Sequence, residues 1–196
     1  CLATMYGRGG DMAPRDHQGF IKWSRGLAHP VIHEKLARAE LVSDLWTYRI
    51  PHGNWFRYDH MPRFPIGLIP MGEALTSFNP MYGQGISLAA GQALALRNVV
   101  ADTPVESLAP QYFAGCEDLN SVGWSVMETR DLAYASTTGE RPADLEQRWR
   151  MGAAIRRLCE QDAEVHALSV RVTHLLESPT ALTRPDIVER ALSLEV

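Results

Sequence analysis

Apolar residues recur at helical spacing through the C-terminal half of the chain. Leu108, Tyr112, Gly115, Leu119, Val122, Val126, Thr129 and Ala133 follow one another at alternating intervals of four and three, which predicts one face of a long helix. The segment STTGERP, residues 136–142, breaks that pattern. Leu145, Trp149, Gly152, Ile155, Leu158, Val165, Leu168, Val172 and Leu175 then predict a second long stripe, with Arg148, Arg156 and Arg157 mostly off it. Asp162 falls near this stripe and reads as a capped or paired polar residue. Pro179 and Pro185 mark a looser end before a last short helix from Asp186.

The N-terminal half reads differently. CLATMYG, from Cys1, has the apolar and β-branched look of a short strand, and GRGGDMAPRD after it is turn chemistry. Helical spacing runs over residues 16–27 and again over 31–39, divided by Pro30, which disfavours helix in the residue before it. LWTYRIP and NWFRYDH predict an antiparallel strand pair around His52 and Gly53, from which Arg49, Arg57 and Tyr58 project. IGLIPM, 66–71, is a nearly continuous apolar run that suits a strand buried on both faces, with Pro70 at its end. The alanine- and leucine-rich segment 86–100 predicts a helix closed by Asp102 and Pro104. The fold class expected is α/β, or α+β within this stretch of sequence.

Composition narrows the function classes. With 196 residues, 45% of them apolar and 21% charged, the chain is long enough to bury a core. A formal charge of -4 gives no basic footprint, so nucleic acid is set aside as the main partner. Cys1, Cys116 and Cys159 are widely separated and form no C-x-x-C pair, which indicates neither a disulfide framework nor zinc and makes a reducing cytoplasm the simplest home. His29 and His33 have i, i+4 spacing, but Pro30 lies between them and no third ligand accompanies them, so they read as surface histidines and no metal is expected. No run approaches the roughly 20 apolar residues of a membrane span, and no signal peptide is visible. The absence of an initiating methionine suggests a fragment or a processed product.

Chemistry concentrates in IGLIPMGEALTSFNPMYGQGISLAAG, residues 66–91. A strand is expected to end near Gly72 and Glu73, a loop to pass through Asn79 and Pro80, and a helix to begin after Gly83, Gln84 and Gly85. Unpaired N–H groups at a helix start, together with the positive end of its dipole, suit an anion or an electron-rich oxygen. Gly83 and Gly85 allow a flat ligand to approach the backbone, Pro80 stiffens the loop, and the Glu73 carboxylate can accept hydrogen bonds from a polyol. A tight turn with a surface glutamate is the plainer alternative. Trp124, Met127 and Tyr134 read as core residues, with the lining of an apolar substrate pocket as the alternative.

These residues resemble the second FAD-contact motif of the flavoprotein monooxygenases related to p-hydroxybenzoate hydroxylase, in which G-D-A is followed by a proline and then G-x-G before a helix. The nearer branch, with fNPxYGQG in the loop, includes epoxidases and hydroxylases of secondary metabolism and geranylgeranyl-reductase-like proteins. The match is specific over residues 57–97 and looser over 7–55.

The resemblance implies an FAD cofactor held through Gly72, Glu73, Pro80, Gly83, Gln84, Gly85 and Ile86. Glu73 stands where the family has the aspartate that binds the ribityl chain, and Pro80 where a proline lines the flavin ring. The backbone of Gly83, Gln84 and Gly85 would face the N1–C2=O edge of the ring, and Asn79 and Tyr82 would sit beside the ring and shape the substrate pocket. Arg57 is a further candidate for that pocket by its own chemistry, suited to neutralising a substrate carboxylate or a cofactor phosphate, with a strand-surface arginine as the alternative. The implied reaction is hydroxylation or epoxidation of an apolar small molecule through a peroxyflavin, with NAD(P)H or a reductase as electron donor and no side-chain nucleophile.

The chain departs from the family in two places. Glu73 adds one methylene to the usual aspartate, and the G-x-G-x-x-G unit that holds the ADP half of FAD is absent, since GRGGDM places Met12 at its third glycine. The expected organisation is therefore the tail of a substrate-domain sheet over 1–60, the last strand, loop and helix of an FAD domain over 61–104, and a helical region over 105–196. A missing N-terminal half or a partner chain would supply the Rossmann unit. The alternative is a half-protein without flavin, acting as a binding or scaffold module or as one subunit of a split flavoenzyme.

Overall fold

The computed structural model describes residues 2–8 and 10–195, so the expectations attached to Cys1 and Gly9 lie outside the described residues. The chain forms two compact units, Cys1–Pro51 and His52–Val196. It is mostly helical, with one small two-stranded sheet.

The first unit contains α1 (His17–Trp23) and α2 (Pro30–Arg38). Asp16 caps α1 by accepting a 2.8 Å hydrogen bond from the Gly19 N–H. Pro30 occupies the first position of α2, where its missing N–H has no intrahelical partner to lose. Buried Ser24 donates to the Ile21 carbonyl at 2.6 Å and lies 2.9 Å from His33 Nδ1, so His33 ties α2 to the end of α1. The N-terminal strand expected from Cys1 is corrected, because residues 2–8 are irregular and Leu2 is exposed. The strand expected over 45–51 is likewise irregular, with Trp46 and Tyr48 exposed. Both have the composition of strands, but a strand exists only where another backbone accepts and donates its hydrogen bonds.

The second unit carries the sheet. β1 (Asn54–Trp55) runs antiparallel to β2 (Thr76–Ser77), with Asn54 opposite Ser77 and Trp55 opposite Thr76. His52 and Gly53 therefore do not turn a hairpin. Gly53 instead packs against Met127, where a Cβ would stand 2.7 Å from Met127 Sδ. The buried strand expected over 66–71 is also corrected. Gly67 has φ of +81°, Ile66 and Leu68 are exposed, and only Ile69 and Met71 pack inward against the cluster of Leu75 and Tyr112. A strand buried on both faces needs neighbours on both sides. Among the described residues the sheet consists of two strands of two residues each, neither of them in this run.

α3 (Gly85–Val100) packs on α4 (Val105–Asp131). Small residues bring the two backbones close: a Cβ on Gly91 would meet Leu119 Cδ2 at 2.5 Å, and one on Gly115 would meet Ala95 Cβ at 3.7 Å. The helix expected from Leu108 onward is present, but its buried face is different. Ala109, Tyr112, Phe113, Cys116, Asn120, Gly123 and Met127 are buried, a set that shares only Tyr112 with the predicted stripe. Both sets satisfy helical spacing. The packing partners chose between them: α3 together with Leu75 and Phe78.

The second long stripe is two helices, α5 (Leu145–Gln161) and α6 (Ala163–Thr173). Asp162 separates them in an extended conformation and caps α6, accepting from the N–H groups of Glu164 at 2.8 Å and Val165 at 2.9 Å. Its other oxygen pairs with Arg190 of α7 (Pro185–Leu192), so the capped and paired reading holds on both counts. Ala154, Leu158, Val165, Ile187 and Ala191 form the core of this helical group. Trp149 Nε1 donates to the Thr129 carbonyl at 2.7 Å and joins α5 to α4. No helix among the described residues is long and apolar enough to cross a membrane.

Candidate functional site

The loop between β2 and α3 is built in short, locally determined steps. Phe78 is buried, which anchors the loop's start. Asn79 then caps a single 3-10 turn, Pro80–Tyr82, its Oδ1 accepting from the Met81 N–H at 3.1 Å. Proline at the first position of this turn is pre-set in φ. Gly83 closes it in the left-handed region at φ of 68°, a conformation glycine adopts without strain. Gln84 follows and α3 begins at Gly85.

The side chain of Gln84 points into the protein. It is 2% exposed, and its Nε2 donates to the Thr173 carbonyl in the last turn of α6 at 3.3 Å. The flanking glycines are exposed, and among the described residues none but the chain neighbours lies within 4 Å of where a Cβ would stand on either Gly83 or Gly85. Ile86, the next residue, is 87% exposed. The Gln84 side chain makes no capping bond at the start of α3, and Ser87 Oγ lies 3.3 Å from His174 Nδ1. A helix start of this kind presents N–H donors and positive potential at an open surface.

Gly72 and Glu73 sit on a separate 3-10 turn, Gly72–Ala74, that packs beside α3. The Gly72 N–H donates to Gln92 Oε1 at 2.7 Å, and a Cβ on Gly72 would lie 3.7 Å from Ala89 Cβ. Glu73 itself is exposed. Ala89 is four residues into α3, so this turn lies about 6 Å along the helix from its start. Pro80 is exposed as well. Six of the seven residues expected to meet the cofactor thus lie at least partly at the surface around the first turns of α3, and Gln84 contributes only its backbone there.

Asn79 and Tyr82 converge on one carboxylate. The Tyr82 hydroxyl donates to Asp131 Oδ1, and Asn79 Nδ2 donates to the same oxygen at 3.4 Å. The Arg130 guanidinium lies 5.1 Å from the centre of the Tyr82 ring. Arg57 belongs to a different group. It pairs with Asp59 at 2.6 Å and Glu117 at 3.2 Å and lies 4.3 Å from the centre of the Trp55 ring. The Arg57 hydrogen bond holds the Asp59 carboxyl below its ordinary range, although burial opposes it. This pair borders a cavity of about 500 Å³ floored by Phe64, Pro110 and Phe113.

Met127 is buried, and Trp124 packs in the same cluster, which gives both the core role expected of them; Tyr134 is exposed. Among the described residues no group of three or more His, Cys, Asp or Glu is placed to hold a metal ion. Asp131, Thr173 and Gln92 had no place in the sequence reading of the loop. No sequence signal singled out Asp131, because the predicted stripe runs on to Ala133 and only the structure shows that α4 ends at Asp131.

No family model matches the chain. It is 40% identical over 65 residues to Protein Rv3254 of Mycobacterium tuberculosis (strain ATCC 25618 / H37Rv), a similarity that spans 33% of this chain and 14% of the length of that protein.

Proposed function

We propose that this chain forms part of an FAD-dependent oxidoreductase that hydroxylates or epoxidises an apolar small molecule, with the loop 79–86 lying against one edge of the flavin ring. The observation that carries the reading is the open start of α3, where, among the described residues, the exposed Gly83 and Gly85 have none but their chain neighbours within 4 Å of a Cβ position. Such a surface lets a flat ring reach the backbone. The N–H groups there would stabilise negative charge at the edge of the ring, and Glu73, on the turn beside α3, would accept hydrogen bonds from ribityl hydroxyls. Its extra methylene lengthens the reach from an exposed position. Pro80 and Asn79 hold the loop's shape, and no side chain of this chain is assigned a nucleophilic role.

When bound, the flavin supplies the redox and oxygen chemistry, with electrons from NAD(P)H or a reductase. The residues present fit the ring and the ribityl chain. The ADP half requires a G-x-G-x-x-G unit from outside this sequence. Arg57 is paired with carboxylates of its own chain, so its proposed place is the border of a substrate cavity rather than a phosphate contact.

The test is Gly85→Phe in the protein that contains this chain. Because no described residue beyond its chain neighbours lies within 4 Å of a Cβ at that position, stability should change by less than about 1 kcal/mol, while retention of flavin, read by absorbance at about 450 nm, should be lost. Unchanged flavin retention in the variant would contradict the placement. A parent protein that stays colourless after incubation with FAD would remove the reading altogether and leave a flavin-free binding module.

A further inference from the structure

The glycine loop is gripped on both sides by helices that lie far along the sequence. Before it, Asn79 and Tyr82 bracket the Pro80–Tyr82 turn and both donate to Asp131 Oδ1, while Arg130 covers the Tyr82 ring. After it, buried Gln84 is tied to the Thr173 carbonyl. Gly83 lies between these anchors, and Gly85, the first residue of α3, follows the second directly. Asp131 is the terminal residue of α4, where a negative charge meets the negative end of the helix dipole. A group set against its local preference is accounted for by interactions elsewhere, and here those are hydrogen bonds to a carboxylate, which are stronger than bonds between neutral groups.

We infer that Asp131 is a positioning residue for the glycine loop, holding Asn79 and Tyr82 so that the Gly83–Gly85 backbone and the α3 N–H groups meet a flavin at a fixed angle. This rests on the flavin reading above. Asp131 touches neither the ring nor a substrate in this role; it acts through Tyr82 and Asn79.

The test compares Asp131→Ala, Asp131→Asn and Tyr82→Phe with the parent, and with Asp118→Asn on the exposed side of α4 as a control. Two measurements are made on the full protein that contains this chain. Amide hydrogen exchange at Tyr82, Gly83 and Leu88, whose N–H groups donate to the Asn79, Pro80 and Gln84 carbonyls, should quicken by about tenfold or more in Asp131→Ala. The FAD dissociation constant should rise by about tenfold, with a shift in the flavin absorption band. Asp131→Asn, which keeps an acceptor, should recover part of both effects, and Asp118→Asn should move neither. If the parent binds FAD but Asp131→Ala leaves exchange, affinity and spectrum unchanged, the role of Asp131 is overturned and the flavin reading stands. If the parent binds no FAD, the flavin reading is overturned and presentation of the loop to a flavin falls with it.

Discussion

Gln92 of α3 and Asn120 of α4, both buried, are joined by a hydrogen bond of 2.9 Å from Gln92 Nε2 to Asn120 Oδ1. The same Gln92 nitrogen donates to Thr76 Oγ1 at 3.0 Å, and Gln92 Oε1 accepts from the Gly72 N–H at 2.7 Å. One side chain therefore connects α3, α4, β2 and the Glu73 turn. Gln92→Leu would keep the volume but leave the Gly72 N–H and the Asn120 and Thr76 side chains without this partner. The expected loss is about 3 kcal/mol, measured by urea unfolding at neutral pH. A loss under about 1 kcal/mol would mean that these groups find other partners.

Gly115 and Gly123 lie on the same helix and should respond to alanine in opposite directions. A Cβ on Gly115 would meet only Ala95 Cβ, at an ordinary 3.7 Å, so Gly115→Ala should gain about 0.5–1 kcal/mol from helix propensity. A Cβ on Gly123 would stand 2.7 Å from Phe78 Cε2 and 3.2 Å from Leu88 Cδ1. Gly123→Ala should therefore cost about 1–3 kcal/mol through overpacking. Thermal midpoints of the two variants, shifted to opposite sides of the parent, would check this.

Asp162 links stability to pH. Its carboxyl is held below the ordinary 3.8 first by the Val165 N–H and then by Arg190. A depressed folded value means that the ionised group stabilises the protein above pH 3.8, and that this contribution is lost as the pH falls below it toward the folded value. Asp162→Asn should accordingly be less stable than the parent at pH 7, and the difference should shrink as the pH falls below 3.8 toward the folded value. Parallel unfolding curves at pH 7 and below pH 3.8 would contradict the assignment.

Cys116 is fully buried beside Tyr112, and burial pushes its thiol above the ordinary 9.0, against the opposing hydrogen bond from Tyr112. A thiolate-selective reagent should leave Cys116 unmodified in the native protein and modify it at the rate of an ordinary thiol in denaturant. Peptide mass spectrometry after labelling in both conditions reads the difference. Native labelling at the denatured rate would show that this core opens readily.

The helices were legible in the sequence because their causes are local. Asp16 stands before a run whose first N–H groups it caps, Pro30 stands at a helix start, and Gly83 stands where the turn needs a left-handed residue. The break between α5 and α6 was not legible, because the apolar spacing runs on through Asp162. The strands were not legible in the same way. IGLIPM and LWTYRIP have the composition of strands but form none, and of the expected strand NWFRYDH only Asn54–Trp55 is one, paired with Thr76–Ser77 while Tyr58–His60 form a 3-10 turn, because backbone pairing depends on what lies opposite.

Local hydrogen-bond chemistry in the sequence, acting over three or four residues, determined where helices begin and end and how the loop turns at Pro80 and Gly83. Tertiary packing decided which side of α4 faces inward, since two stripes of equal spacing were available and only contact with α3, Leu75 and Phe78 chose the one with Phe113, Cys116 and Met127. It also brought Tyr82 to Asp131 and Gln84 to Thr173, pairs separated by 49 and 89 residues. A hydrogen bond across such a distance leaves no periodicity in the sequence, because its geometry exists only once the intervening helices have packed.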